Sequence, residues 1–305
     1  MQVAVCMVSA HSPVYEQKMK WFAEGVSDHC DIVDWENLPA YHQNYVPVIY
    51  GSVKHKRGAA HHRIKSQIDK YARPYVMLET PLVHRRADTI DHAWLRVGVN
   101  GFLWDHAMWG FDHMDPKRTI VDPIKWRDNG NHILILMQNP GDASLRGADI
   151  FEWCDSTVKQ LRTHTDRPIK IRPHPLPTKR AKLKDLEHSL TKIKNVEFVE
   201  NILPNIRPLE LDLKDCWCAV SYTSGSAVDA VLAGVPNISC DPGNMTWPIS
   251  SHSINMIEIP YTGPTQQWEQ QISHCQFNVE ELRNGVCWNH IKQTLGKIHD
   301  LKTSQ

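Results

Sequence analysis

The chain has 305 residues, with 34 Lys and Arg against 34 Asp and Glu, and 41% of it is hydrophobic. That length suits one large or two ordinary domains with sizeable cores, and the apolar content excludes a chain disordered throughout. The zero net charge argues against a protein that coats nucleic acid, and no apolar run approaches the ~20 residues of a membrane helix.

The start, MQVAVCMVSAHSPVYEQ, reads as a buried strand over residues 3–8 and lacks the basic segment of a signal peptide, which points to the cytoplasm. A helix is expected over 14–26. Next comes the densest basic stretch, with Lys54, Lys56, Arg57, Arg63, Lys65, Lys70 and Arg73 against only Asp69, and a helix expected over 58–71. It is either a solvated helix face or a contact surface for something anionic. Strands are expected at 75–78, 132–137, 169–171, 196–198, 218–221 and 237–239, and helices at 151–163, 179–193, 226–232 and 279–301. Strands alternating with helices imply parallel sheets built from βαβ units. The polar segment KWRDNGN, residues 125–131, marks a boundary. It divides an N-terminal α/β domain (1–127) from a second α/β domain (128–275) and a C-terminal helical segment (276–305). The eight Cys, without secretory context, read as reduced thiols, mostly in the core.

Four segments share one grammar: an apolar strand ends, and small, polar or acidic residues follow. In HILILMQNPGDASLRG the strand delivers Gln138 to the sheet's carboxyl edge, and a Pro-Gly turn presents Asp142, Ser144 and Arg146. The same residues also fit a plain strand, turn and helix cap. In TDRPIKIRPHP two prolines stiffen the exit from the strand and aim Arg172 and His174, groups suited to a phosphate. In CAVSYTSGSAVDAVLAGVP, Thr223, Ser224, Gly225 and Ser226 open a helix whose free amides suit a phosphate, with Asp229 in the first turn. A Ser N-cap with a first-turn carboxylate explains Ser226 and Asp229 equally well, though not the small residues before them. In YVMLETP the strand delivers Glu79 to its edge, where a carboxylate can act as a general base; Asp105, in RVGVNGFLWDH, is a second candidate.

Other chemistries lack their signatures. The sequence has no G-x-x-x-x-G-K-[ST], no G-x-G-x-x-G after the first strand and no H-E-x-x-H, and Ser224 lies in S-G-S rather than a nucleophile elbow. No Cys and His set has zinc-ligand spacing.

The ordered set LMQNPGDASLRG, RPIKIRPHP, SYTSGSAVDAVLAGVP and HCQFNVEELRNGVCW resembles the bacterial capsule-polysaccharide transferases that use a nucleotide-activated Kdo sugar. It is also similar to a broad group of tailed-phage proteins with the same layout. The likeness covers roughly residues 130–290, and the first domain only through MLETP and RVGVNGF. It implies a GT-B architecture, two Rossmann-like α/β domains facing a cleft with a C-terminal helix, and no bound cofactor or obligatory metal. It implies that a nucleotide sugar, a UDP- or CMP-sugar, is the co-substrate and that Gln138, Asp142, Ser144, Arg172, His174, Thr223, Ser224, Gly225, Ser226 and Asp229 bind it. Asp229 stands where the capsule enzymes usually carry Glu. Glu79 matches an acidic motif of the acceptor half, although Thr80 follows where an Asp is usual.

The expected activity is sugar transfer to a hydroxyl. The favoured acceptor is a hydroxymethylated pyrimidine, 5-hydroxymethylcytosine, in double-stranded phage-type DNA. That preference rests on the viral likeness and on Lys54, Lys56, Arg57 and Arg63 as backbone contacts, with Trp94, Trp104 and Trp109 as walls for an extruded base, although core packing is the expected role of at least two of the three. A capsule or surface polysaccharide is the alternative acceptor. A nucleotide-sugar epimerase and a non-catalytic nucleotide-sugar-binding module are the competing classes.

Overall fold

The computed structural model describes residues 1–7, 13–34, 45–51, 74–85, 92–175, 178–200 and 207–303. The chain forms two compact units. Unit 1 comprises Met1–Phe102, His106–Ile120 and Glu269–Gln305, and unit 2 comprises Leu103–Asp105 and Val121–Trp268. The chain passes between the units after Phe102, Asp105, Ile120 and Trp268. Residues 276–305, expected as a separate segment, belong to unit 1.

Unit 1 is built on a six-stranded sheet. Its strands are β1 (Gln2–Met7), β2 (Cys30–Asp34), β3 (Tyr45–Tyr50), β4 (Val76–Glu79), β5 (Trp94–Val99) and, from the far end of the chain, β11 (Gln276–Asn278), in the order β11-β5-β4-β3-β1-β2. The pairs among β1 to β4 are parallel, whereas β5 runs antiparallel to β4 and β11 antiparallel to β5. An all-parallel sheet, implied by strand–helix alternation, is therefore not what this unit makes. Side chains alternate along β1: Val3 and Val5 enter one core and Ala4 and Cys6 another, so both faces are buried and the strand reads as a continuous apolar run.

Helix α1 (Pro13–Val26) buries Met19, Phe22, Ala23 and Val26, the i, i+3, i+4, i+7 stripe of a half-buried helix. The predicted C-terminal helix is two helices, α7 (Val279–Arg283) and α8 (Val286–Thr303). They part at Gly285, whose φ of +82° suits glycine. A capping box between Asn278 and Glu281 opens α7, and Trp288, Ile291, Leu295 and Ile298 of α8 complete the core that Val3 and Val5 enter.

Unit 2 carries a five-stranded sheet of β6 (His132–Leu136), β7 (Ile169–Arg172), β8 (Val196–Phe198), β9 (Cys216–Ser221) and β10 (Asn237–Ser239), in the order β10-β9-β6-β7-β8. All its pairs are parallel. Numbered within the unit this is the 3-2-1-4-5 order of a Rossmann-like sheet, with the reversal between β6 and β9. Helix α2 (Ile150–Arg162) begins at Asp149, whose carboxylate accepts the Phe151 N–H at 2.9 Å, and buries Ile150, Cys154, Val158 and Leu161 on one face. Helices α3 (Arg180–Leu190), α4 (Leu209–Leu213), α5 (Ser226–Leu232) and α6 (Gln266–His274) complete the elements named here. All eight cysteines are free thiols, six of them buried. Among the described residues, no helix is long and apolar enough to cross a membrane.

Candidate functional site

In an open α/β sheet, ligands bind outside the carboxyl ends of the strands where the strand order reverses. In unit 2 that place lies between the ends of β6 and β9, and two of the four predicted segments leave the sheet there. Gln138, two residues beyond β6, joins them. The Thr223 N–H donates to Gln138 Oε1 at 2.9 Å, and Gln138 Nε2 donates to Thr223 Oγ1 at 3.0 Å and to Ser144 Oγ at 2.7 Å. Thr223 Oγ1 in turn donates to the Ser144 carbonyl at 2.9 Å. Gln138, Ser144, Thr223 and Ser224 are all buried. Their polar groups hold the two loops together. Asp142 caps the short 3-10 turn at Ala143–Leu145, accepting the Ser144 N–H and hydroxyl, both at 3.1 Å.

The half-buried pair Gly225 and Ser226 begins α5. Gly225, not Ser226, occupies the N-cap, with no side-chain cap, and Ser224 Oγ accepts the Ser226 N–H at 3.3 Å. Asp229 lies half-buried one turn along. A polar web lies beneath. Asn244 Nδ2 donates to Ser221 Oγ at 2.8 Å and to the Tyr222 carbonyl at 2.9 Å, and Ser221 Oγ donates to Asn237 Oδ1 at 3.1 Å. Ser221, Asn237 and Asn244 are fully buried, and each has its partners.

Arg172 is the last residue of β7, and its carbonyl accepts the Met137 N–H at 3.0 Å. Along β7, Ile169 and Ile171 face one core, so Arg172 points to the opposite face by the period of two. There it forms a buried ion pair with Asp212 of α4 and donates to the Arg207 carbonyl at 2.9 Å, while Arg207 Nε donates to the same carboxylate at 2.8 Å. Its guanidinium is thus engaged by the Asp212 carboxylate and the Arg207 carbonyl, where the sequence reading expected a phosphate. His174, in the half-buried exit loop, stays on the carboxyl side of β7.

At this edge stands the guanidinium of Arg146, held in left-handed backbone geometry (φ 52°, ψ 32°). It pairs with both oxygens of Asp105 and lies 3.7 Å from Asp241 Oδ1, beyond the end of β10. Asp105 strengthens its hold on the proton further, and Asp241 and Tyr222 add to this. Asp105 thus belongs to unit 2 as a counter-ion, a role at odds with its candidacy as the base. The sequence placed Arg146 on the turn without a role; the Gly147 that follows it was the available signal of a tight turn.

In unit 1, Glu79 ends β4, half-buried, and its Oε1 accepts the Thr80 N–H at 2.8 Å and the Thr80 hydroxyl at 3.0 Å. Tyr50 ends the neighbouring β3, and Tyr15 of α1 stacks on it with ring centroids 4.6 Å apart. Lys54, Lys56, Arg57 and Arg63 lie outside the described residues. Of the tryptophans considered as pocket walls, Trp109 is core, at 3% exposure. Among the described residues, no group of three or more His, Cys, Asp or Glu side chains is placed to hold a metal ion.

No protein-family model matches the chain. No curated protein matches it either. Among solved structures it is similar to the KpsC beta Kdo 2,7 transferase of Thermosulfurimonas dismutans, at 12% identity and a TM-score of 0.53, over 94% of this chain and 99% of that one. It is similar also to the KpsC beta Kdo 2,4 transferase of the same organism, at 11% identity and a TM-score of 0.51, over 93% and 98% of the two chains. The chain therefore has a glycosyltransferase-like fold of two Rossmann-like α/β units.

Proposed function

We propose that the protein is a GT-B, metal-independent glycosyltransferase that moves a sugar from a nucleotide-sugar donor to a hydroxyl acceptor. The observation that carries this reading is the meeting of the Gln138–Ser144 and Thr223–Ser226 loops at the β6/β9 reversal of a transferase-like fold. Gly225 and the Ser226 hydroxyl supply a close approach and donors for the donor's phosphate. His174 and Arg146 are the basic groups for its charge, with Arg146 exchanging Asp105 for phosphate. Glu79 takes the acceptor hydroxyl's proton while that oxygen bonds to the anomeric carbon. The anomeric C–O bond breaks, its electron pair leaving with the nucleotide phosphate.

The acceptor is either a glycan, as the Kdo transferases of the same fold suggest, or hydroxymethylated DNA, which rests on the four basic residues of the 54–63 stretch. Mass spectrometry after incubation with CMP- and UDP-sugars tests both, using free oligosaccharides in one arm and a 5-hydroxymethylcytosine duplex in the other. One added glycosyl residue with nucleotide release is expected. Release of no nucleotide in either arm overturns the reading, and conversion of the donor sugar without acceptor makes the protein an epimerase.

A further inference from the structure

Unit 1 has its own reversal of strand order. From β1 the sheet extends to β2 on one side and to β3 on the other, so its switch point lies between the carboxyl ends of β1 and β3. Two tyrosines meet there. Tyr50 is the last residue of β3, and Tyr15 lies in the first turn of α1, the helix that follows β1. We infer that the stacked Tyr15 and Tyr50 rings form a platform for a pyranose ring of the acceptor, beside Glu79. The inference rests on the transferase reading above.

The two rings have different duties. Tyr50 is 6% exposed and forms the fixed back of the platform, whereas Tyr15 is 41% exposed and forms its face, next to the exposed Val14. Their planes lie 26° apart. Tyr50 also connects the platform to the candidate base. Its side chain is hydrogen-bonded with Thr80, and burial, then the Glu79 charge, raise its phenol well above the usual range, so it stays protonated. An exposed aromatic face backed by a neutral phenol and flanked by a carboxylate matches a sugar. The polarised C–H face of a pyranose sits on the electron-rich ring, and its rim hydroxyls find an acceptor in the carboxylate.

A base extruded from DNA fits this place less well. It needs an enclosing pocket that stacks it from both sides, and a duplex backbone needs cations. On α1 the charges of Glu16, Lys18, Lys20 and Glu24 cancel; Lys18 Nζ lies 5.9 Å from the Tyr15 ring centroid, and the basic stretch after β3 lies outside the described residues.

Saturation-transfer NMR on the full chain tests the platform. The probes are free disaccharides of glucose, galactose and N-acetylhexosamines, with a short 5-hydroxymethylcytosine duplex as counter-probe. Saturation of the ring C–H protons of at least one disaccharide is expected. Binding should fall about tenfold in Tyr15→Ala and be retained in Tyr15→Phe, which keeps the ring. Saturation of no disaccharide, an unchanged Tyr15→Ala, or a loss confined to the duplex overturns the inference. Titration of CMP and UDP by calorimetry separates the two readings. Nucleotide binding without disaccharide binding sinks the platform and leaves the transferase. Disaccharide binding without nucleotide binding sinks the transferase and, with it, the acceptor role given to the platform.

Discussion

Gln138 and Thr223 each donate a hydrogen bond to the other, the Thr223 backbone N–H to the amide oxygen at 2.9 Å and the amide nitrogen to the Thr223 hydroxyl at 3.0 Å. The pair fixes the β6 exit loop to the β9 exit loop. Gln138→Leu removes both halves and leaves a buried N–H without its acceptor, at a cost of roughly 1–3 kcal/mol. Urea unfolding is expected to show that loss, and calorimetry a weakened affinity for CMP or UDP. A variant of wild-type stability and affinity takes Gln138 out of the site.

Arg172 is expected to matter for folding rather than for the donor. Arg172→Met leaves the fully buried Asp212 with the half-exposed Arg207 as its one counter-ion among the described residues, and breaking a buried pair this way costs about 3–5 kcal/mol. The double variant Arg172→Met, Asp212→Leu removes both charges and should recover most of it. If folded Arg172→Met loses nucleotide affinity at wild-type stability, the guanidinium reaches the ligand after all.

Glu79→Gln keeps the side chain's size and removes its ability to take a proton. Transfer should fall by about 10²–10⁴-fold while nucleotide affinity holds. Near-normal turnover in Glu79→Gln together with a dead Asp105→Asn moves the base to Asp105.

Stability should decline in mild acid because two buried histidines are held neutral. His290 Nε2 donates to the Trp109 carbonyl at 2.7 Å, and burial, the largest cause, lowers its pKa to about 4. His274 accepts the Asp115 N–H at 3.0 Å and donates to the Gln270 carbonyl at 2.8 Å, and burial lowers its pKa as well. His113, Asp112, Asp115, Arg118, Glu281 and Lys297 are the charged and titratable neighbours. Below the usual histidine value near 6.5 the unfolded chain takes up protons that the folded chain refuses, so stability falls with pH down to about 4. For His290 alone this amounts to about 2 kcal/mol between pH 7 and 5. Denaturant midpoints at the two pH values, in wild type and in His290→Gln, measure it; an equal drop in both assigns the effect elsewhere.

Gly25 brings α1 against α7 so closely that a Cβ there would run into the Leu282 carbonyl oxygen. Gly25→Ala is expected to force the helices apart and to cost more than the roughly 1–3 kcal/mol usual for overpacking, because backbone rather than a side chain must move. A thermal midpoint equal to that of wild type contradicts this packing.

The local pattern marked all five strands of unit 2, though not the short helix α4 that carries Asp212. The unit's strands are short apolar runs buried on both faces, its helices carry clear stripes, and parallel βαβ units follow from their alternation. The helix 226–232 was expected at the bounds observed. Unit 1 was less legible, because β5 and β11 pair in an antiparallel sense across 180 residues of sequence (Arg96 opposite Gln276), and no local signal encodes such a pairing.

The same division runs through the candidate site. Composition and strand-end grammar picked out Gln138, Ser144 and Thr223, because residues that leave parallel strands in order must emerge at one edge. Tertiary structure alone decided which cation stands there. The alternation of β7 turned Arg172 towards Asp212, a residue 40 positions away, and the left-handed turn at Arg146 swung a second guanidinium to Asp105 and Asp241. Charge type is written in the sequence, but the partner of a buried charge is set by which loops the fold brings within hydrogen-bond reach. For the same reason Tyr15 and Tyr50, unremarkable 35 residues apart, become a stacked pair only once β1 and β3 lie side by side.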